Sequence, residues 1–121
     1  MSQFNFAGSA TALALAAAAS NASTLTGSAV DLFGYNGTLA IVQTHGTSTG
    51  TLDGKIQDSA DGSTGWADVT GAAFTQSTTT ADVQIISLNT RACKRYIRYV
   101  GTVGTGPQVM GVVAVGVKQT T

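Results

Sequence analysis

The stretch from residue 50 to residue 76 places the strongest constraint on the fold. It opens with strict alternation, in which Leu52, Gly54 and Ile56 share one parity and polar or charged residues occupy the other. A period of two with one apolar side is typical of a half-buried β-strand. The run ends at D-G-S-T-G over residues 61–65, and Asp and Gly favour the tight reversal of a hairpin.

The returning arm of this hairpin begins at Trp66, which is the sole tryptophan of the chain. An apolar face starts again at Trp66 and Val69, directly after the turn. Large aromatic side chains dominate the energetics of small cores. We therefore predict that Trp66 is mostly buried and anchors the core.

The remaining sequence predicts an all-β domain. A chain of 121 residues is one domain by size. Glutamate is absent, whereas Thr, Val and Gly are abundant, which favours strands and tight turns over helices. Short strands at intervals of about ten residues are typical of an antiparallel β-sandwich or a jelly-roll-like small barrel. Further strands are expected at residues 28–33, 38–44, 83–88, 95–103 and 109–117.

Two of these strands carry apolar residues on both faces. In residues 38–44, Leu39 lies on one parity and Val42 on the other. This pattern indicates a central strand, or a strand with one face covered by a partner. In the strand at 83–88 the apolar parity changes between Ile85 and Ile86, which predicts a β-bulge there.

Residues 1–22 differ in composition from residues 23–121, which we assign to the β-sandwich domain. The first segment is rich in alanine and has no charge, and its large apolar residues occur in pairs at strand spacing. One alternative is a disordered or frayed terminus. We favour an extended N-terminal arm that docks on a neighbouring subunit, because chain termini are ordered only when something holds them. The residues expected to make this contact are Phe4, Phe6, Leu13 and Leu15.

No convincing catalytic set is present, and we predict that the protein is not an enzyme. Residues 46–50 match the G-x-S-x-G pattern around Ser48, but a nucleophile elbow requires a preceding strand, a following helix and a later histidine. His45 is the only histidine and cannot form a zinc site by itself. Cys93 is expected to be a small packed residue whose pKa neighbouring cations could lower.

The charged residues predict ion pairs instead of a nucleic-acid site. Arg95 and Arg98 belong to a short basic cluster, but the net charge is zero, so we expect no nucleic-acid binding. We expect both arginines to pair with aspartates of the hairpin, within or between subunits, as part of a partner interface. A loose Ca²⁺ site is an alternative role for these aspartates, although we commit to no cofactor and no metal. The hairpin aspartates are Asp53, Asp58, Asp61 and Asp68.

Nothing in the sequence predicts membrane association. Residues 10–19 are small or apolar but too few to span a bilayer, and no basic residue precedes them as in a signal peptide. The single cysteine cannot form an intrachain disulfide. Folding in the cytoplasm is therefore expected.

Several stretches resemble small structural proteins of tailed bacteriophages. The resemblance covers roughly residues 28–117 and excludes the N-terminal arm. It rests on L-D-G-K-I-Q-D-S-A-D-G-S, W-A-D-V-T-G-A-A-F-T-Q and K-R-Y-I-R-Y-V-G-T-V, at residues 52–63, 66–76 and 94–103. Shorter matches lie at 30–32, 34–37 and 112–116.

The resemblance implies a capsid decoration (cement) protein of the virion. Such a protein binds the major capsid protein at the capsid surface and stabilises the head, and the resemblance favours a homotrimer. A tail or head–tail connector protein is the alternative within the virion. A carbohydrate-binding module is an alternative of another class, with Trp66, Tyr35 or Tyr96 as stacking platforms.

Overall fold

The computed structural model describes residues 11–21, 23–35, 37–105 and 107–116, and these residues form a β-sandwich. Its strands pair antiparallel in two sheets that pack against each other. The strands are β1 (Thr11–Asn21), β2 (Leu25–Thr26), β3 (Val30–Asp31), β4 (Thr38–His45), β5 (Thr51–Ser59), β6 (Ala67–Ala73), β7 (Asp82–Asn89), β8 (Tyr96–Thr105) and β9 (Gln108–Gly116).

Sheet 1 has the order β1-β9-β4-β7, and sheet 2 has the order β2-β8-β5-β6 with β3 also paired to β8. A short 3₁₀ helix, Thr90–Ala92, joins β7 to β8, and the Asn89 side chain caps it by accepting from the Arg91 amide. The predicted all-β sandwich is therefore confirmed. In the described part of the chain, no helix is long and apolar enough to cross a membrane.

The predicted hairpin is present as β5 and β6. Leu52, Gly54 and Ile56 are buried, as their shared parity predicts. The turn between the strands uses Gly62 and Gly65 at positive φ, a conformation that glycine adopts without steric cost. Local alternation and turn chemistry therefore account for this unit without any long-range information.

Part of the predicted N-terminal arm is a strand of the sandwich. β1 pairs with β9 along its length, from Thr11 opposite Gly116 to Asn21 opposite Gln108. Leu15 is only 1% exposed and belongs to the core, and the half-buried Leu13 packs against it. The assignment of Leu15 to a partner interface is therefore wrong, because this chain's own second sheet already covers it. Phe4 and Phe6 lie outside the described residues.

The largest fully buried side chain is Tyr99 on β8, not Trp66. Its ring lies at a tilt to Phe74, with 6.3 Å between centroids. Its hydroxyl donates to Gln43 Oε1 across the two sheets at 2.6 Å. A Cβ on Gly54 would collide with both the Tyr99 hydroxyl and Gln43 Oε1, so glycine at this strand position makes room for the buried hydrogen bond.

The double-sided apolar strands have two different explanations. β4 is a central strand, hydrogen-bonded to β7 and β9, as the pattern of residues 38–44 allowed. β7 pairs with β4 at consecutive positions, so the bulge predicted near Ile85 is wrong. Val83 and Ile85 lie on the outer face of sheet 1 and are each 65% exposed, whereas Leu88 is buried. The apolar parity changes within β7 because both faces of this regular strand carry apolar side chains.

Candidate partner-binding surface

Trp66 lies on the outer side of sheet 2. It is half-buried, and the buried core does not include it. The Arg98 guanidinium stacks over its ring, 4.3 Å from the centroid, which is a cation–π distance. Most of the area of Trp66 is buried, as predicted, but the prediction that it anchors the core is wrong, because the indole precedes β6 and rests on an outward-facing side chain of β8.

A second arginine is held between two aromatic rings at the same end of sheet 2. The Arg95 guanidinium carbon lies 5.1 Å from the Phe33 ring centroid and 5.3 Å from that of Tyr96. Arg95 also donates two hydrogen bonds to the Asp31 carboxylate, at 2.8 and 2.9 Å. These bonds raise the pKa of Arg95 above its usual value, so the guanidinium is charged and fixed in orientation.

We call these five residues the aromatic–arginine surface. Tyr96 and Arg98 face outward on β8, two positions apart, and so connect its two halves. Phe33 is 71% exposed. Aromatic residues and arginine are enriched where proteins bind other proteins, because they bring large contact areas and directed hydrogen bonds. The surface consists of Phe33, Trp66, Arg95, Tyr96 and Arg98.

The turn of the hairpin packs against this surface at Tyr96. Asp61 accepts hydrogen bonds from the Ser63 and Thr64 amides and from the Thr64 hydroxyl, each at 2.9 Å. These bonds hold the pKa of the Asp61 carboxyl well below its ordinary value of 3.8. A Cβ on Gly62 would lie 3.0 Å from the Tyr96 ring, so the turn backbone packs directly against that ring.

A polar network continues from the surface across the outer face of sheet 2. Arg98 donates to Gln57 Oε1 at 3.0 Å, and Gln57 donates to Asp68 at 2.9 Å. Asp68 also forms an ion pair with Lys55 at 3.1 Å. The hydrogen bond from Gln57 and then that from Lys55 lower the pKa of Asp68. The network fixes the position of Arg98. Among the described contacts, no carboxylate forms a direct ion pair with its guanidinium.

Within this chain, the described contacts do not pair Arg95 or Arg98 with the hairpin aspartates that the sequence predicted. Arg95 pairs with Asp31, which lies outside the hairpin, and Arg98 bonds to a glutamine. Asp58 instead accepts from the Lys94 backbone amide, and Asp53 accepts from Gln76. Whether Arg95 and Arg98 contact a partner stays a prediction.

Sequence reasoning missed Asp31 and Phe33. A signal was available, because Val30 and Leu32 share one parity and thereby place Asp31 and Phe33 together on the other. However, the strand expected at residues 28–33 is only two residues long in the structure, and Phe33 lies in the turn after it, so strand parity alone does not place Phe33. That Arg95 would meet this pair depends on the pairing of β3 with β8, which no local pattern predicts.

The residues considered for catalysis have structural contacts here. The Ser48 hydroxyl donates to the Gly46 carbonyl and accepts from the Val109 amide. His45 is 4% exposed, with Nε2 2.5 Å from Gln108 Oε1 and Nδ1 3.2 Å from the Thr80 carbonyl oxygen. His45 and Ser48 are therefore each tied to the loops that join the sheets.

Cys93 and the aspartates give no sign of reactive or metal chemistry in the described regions. Burial, and then the negative charge of Asp58, raise the pKa of Cys93, opposite to the lowering that its basic sequence neighbours suggested. Among the residues that the structure describes, no three His, Cys, Asp or Glu side chains cluster as metal ligands.

Comparisons with protein-family models and with curated proteins find no match to this chain.

Proposed function

We propose that this protein is a structural virion protein that binds the major capsid lattice as a decoration (cement) protein and is not an enzyme. The observation that carries the proposal is the aromatic–arginine surface. It presents three aromatic rings and two oriented cations on one rigid sheet end. The resemblance of residues 28–117 to phage structural proteins supplies the class of partner.

The chemistry of this surface favours a protein partner with carboxylates at its rim. Arg95 already has one bidentate acceptor, whereas the Arg98 guanidinium has a glutamine and an indole as its described contacts. A partner carboxylate could therefore bond to the remaining N–H groups of Arg98 while an apolar group packs on Phe33. Side chains held in place by stacking lose little entropy on binding.

The test uses heads of the phage that encodes the chain, assembled without it. Purified protein should co-sediment with these heads, and electron microscopy should show added density on the shell. Trp66→Ala should weaken binding at least about tenfold, as expected for an aromatic residue at the centre of an interface. Thr79→Ala, in an exposed loop away from the surface, is the matched control and should bind normally.

The location of the density decides between roles. Density on the tail or at the neck would support the tail or head–tail connector alternative and contradict decoration. Failure to bind any virion part would contradict a structural role altogether.

Carbohydrate binding is a second candidate, because Trp66 lies outside the core and is only partly buried. The accessible part of the indole can stack on a sugar ring, with Tyr96 close by on the same surface. Calorimetric titration with oligosaccharides tests this candidate. Binding that Trp66→Ala abolishes and Thr79→Ala preserves would support it, and absence of heat with all sugars tried would count against it.

A further inference from the structure

The outer face of sheet 1 is apolar and uncharged. Its outward-facing side chains form rows across the strands, and the central row runs from Ala14 through Val113 and Val42 to Ile85. A second row has Val83 beside Thr44 and Gly111. Of the large hydrophobic side chains that are exposed in the described part of the chain, all except Phe33 lie on this face.

The face has a ridge and a trough. Val83 and Ile85 on β7 form the ridge, and each side chain is 65% exposed. The trough lies over β9, where Gly111 has no side chain, and it opens into a depression of about 210 Å³ flanked by Ala14 and Val42. A second depression of about 400 Å³ continues from Thr44 towards Val109 at the end of the face, where Asp82 and His45 also line it.

We propose that the outer face of sheet 1 packs against the same face of a second copy of this chain. A two-fold axis parallel to the strands and passing over β4 brings β7 of each copy above β9 of the other. Val83 of each copy then enters the Gly111 trough of its partner, and Ile85 packs beside Val113 in the neighbouring row. The ridge–trough contact occurs twice, as a self-complementary interface requires.

The absence of charge at the described outward positions favours a second copy of the chain over a partner whose surface carries both charged and apolar groups. Outward positions on β4, β7, β9 and the described part of β1 carry Ala, Val, Ile, Thr, Ser, Asn and Gly and no ionisable group. A partner with charged groups would leave them desolvated and unpaired against this face. A second copy brings an equally uncharged surface of equal size.

The area fits a weak, reversible dimer. An axis over β4 overlaps three strands of each copy, namely β9, β4 and β7. Three strands about 4.8 Å apart, each contributing about seven residues at ~3.4 Å, cover roughly 14 by 24 Å, so two such faces together remove on the order of 700–800 Å² from water. Areas of this size belong to weak, transient contacts. The expected association is therefore concentration-dependent rather than permanent.

The test is the mass of the free protein in solution, without capsids, so it does not depend on the proposed function. Sedimentation or light scattering over a range of concentrations should show a monomer–dimer equilibrium. Ile85→Lys should weaken dimerisation at least about tenfold, because the two-fold axis places the buried lysine in the interface twice. Val83→Lys should act similarly, and Ile85→Val should dimerise as the natural chain does.

The matched control is Thr102→Lys, which adds the same charge to an exposed position on the outer face of sheet 2. It should leave the dimer intact. Circular dichroism should show native strand content for every variant, because each altered side chain is exposed or partly exposed.

Three outcomes would overturn the proposal. The first is a natural chain that stays monomeric at all concentrations. If Ile85 is then needed only for binding to capsids, the protein that covers the outer face of sheet 1 is not a second copy. The second is a dimer that withstands both lysine substitutions. The third is a trimer, the state expected from the resemblance, because a face that packs on its own copy gives two-fold symmetry.

Discussion

The outer faces of the two sheets differ in kind, although the same core lies beneath both. On sheet 2, Lys55, Asp68 and Arg98 join in a network of hydrogen bonds and an ion pair that stays exposed to water. On sheet 1, the corresponding positions carry Val42, Ile85 and other uncharged side chains. The outer face of sheet 2 can remain in water at little cost in free energy. Covering the outer face of sheet 1 with another surface lowers the free energy, because apolar area is removed from water.

The difference shows that exposure in the single chain does not by itself distinguish side chains suited to water from side chains suited to contact with another surface. Ile85 and Trp66 are both large and apolar, and both are accessible in the single chain. Trp66 has a cation stacked on it, whereas Ile85 lies beside other uncharged side chains only. Substitutions of single residues test this division between inner side chains, polar outer side chains and apolar outer side chains.

The largest effect is expected at an inner position of sheet 1. Leu15→Ala should lower the free energy of unfolding by about 2–5 kcal/mol, because the leucine is buried and a cavity would remain. Leu13→Ala, at a half-buried position of the same strand, should cost less. Denaturant unfolding measures both values. If Leu15→Ala leaves stability unchanged, β1 does not contribute to the core.

A medium effect is expected from the inner face of sheet 2. Tyr99→Phe should cost about 1–3 kcal/mol, because Gln43 Oε1 loses its donor while Gln43 Nε2 already has no partner among the described residues. Tyr96→Phe removes the same hydroxyl from the outer face of the same strand and should stay within about 0.5 kcal/mol. Equal costs at the two positions would remove the distinction between inner and outer faces of β8.

A smaller effect is expected at Trp66. Trp66→Ala should cost about 1–2 kcal/mol through loss of the Arg98 contact and of the buried part of the indole, below the ~3–5 kcal/mol of a fully buried tryptophan. Iodide or acrylamide should quench the fluorescence of the native protein more than that of a fully buried indole. A cost in the buried range together with protection from quenchers would return Trp66 to the core.

The smallest effect is a pH dependence confined to the hairpin turn. The pKa of Asp61 is lower in the folded chain than its ordinary 3.8, so its ionisation stabilises the fold above that value. This contribution should disappear as the pH falls below 3.8 towards the folded pKa. Asp61→Asn should therefore show a weaker loss of stability at acid pH than the natural chain does. Identical acid profiles for the two proteins would contradict the role of the turn.

The sequence alone determined the features that depend on neighbouring residues. Alternation in residues 51–59 predicted which side of β5 is buried, and Asp61 with its glycines predicted the turn, because strand parity and positive φ are local properties. The all-β class followed from many such units. Arg95 and Arg98 were also recognised as candidates for pairing.

Only the tertiary structure decided how these units meet. Parity gives two faces but does not say which one another sheet covers, so Trp66 was predicted inside and lies outside, while Leu15 was predicted at a partner and lies in the core. The contact of Arg95 with Asp31 spans 64 residues and exists because β3 pairs with β8. Such contacts depend on strand order, which is set by the joint packing of the whole core and not by any one segment.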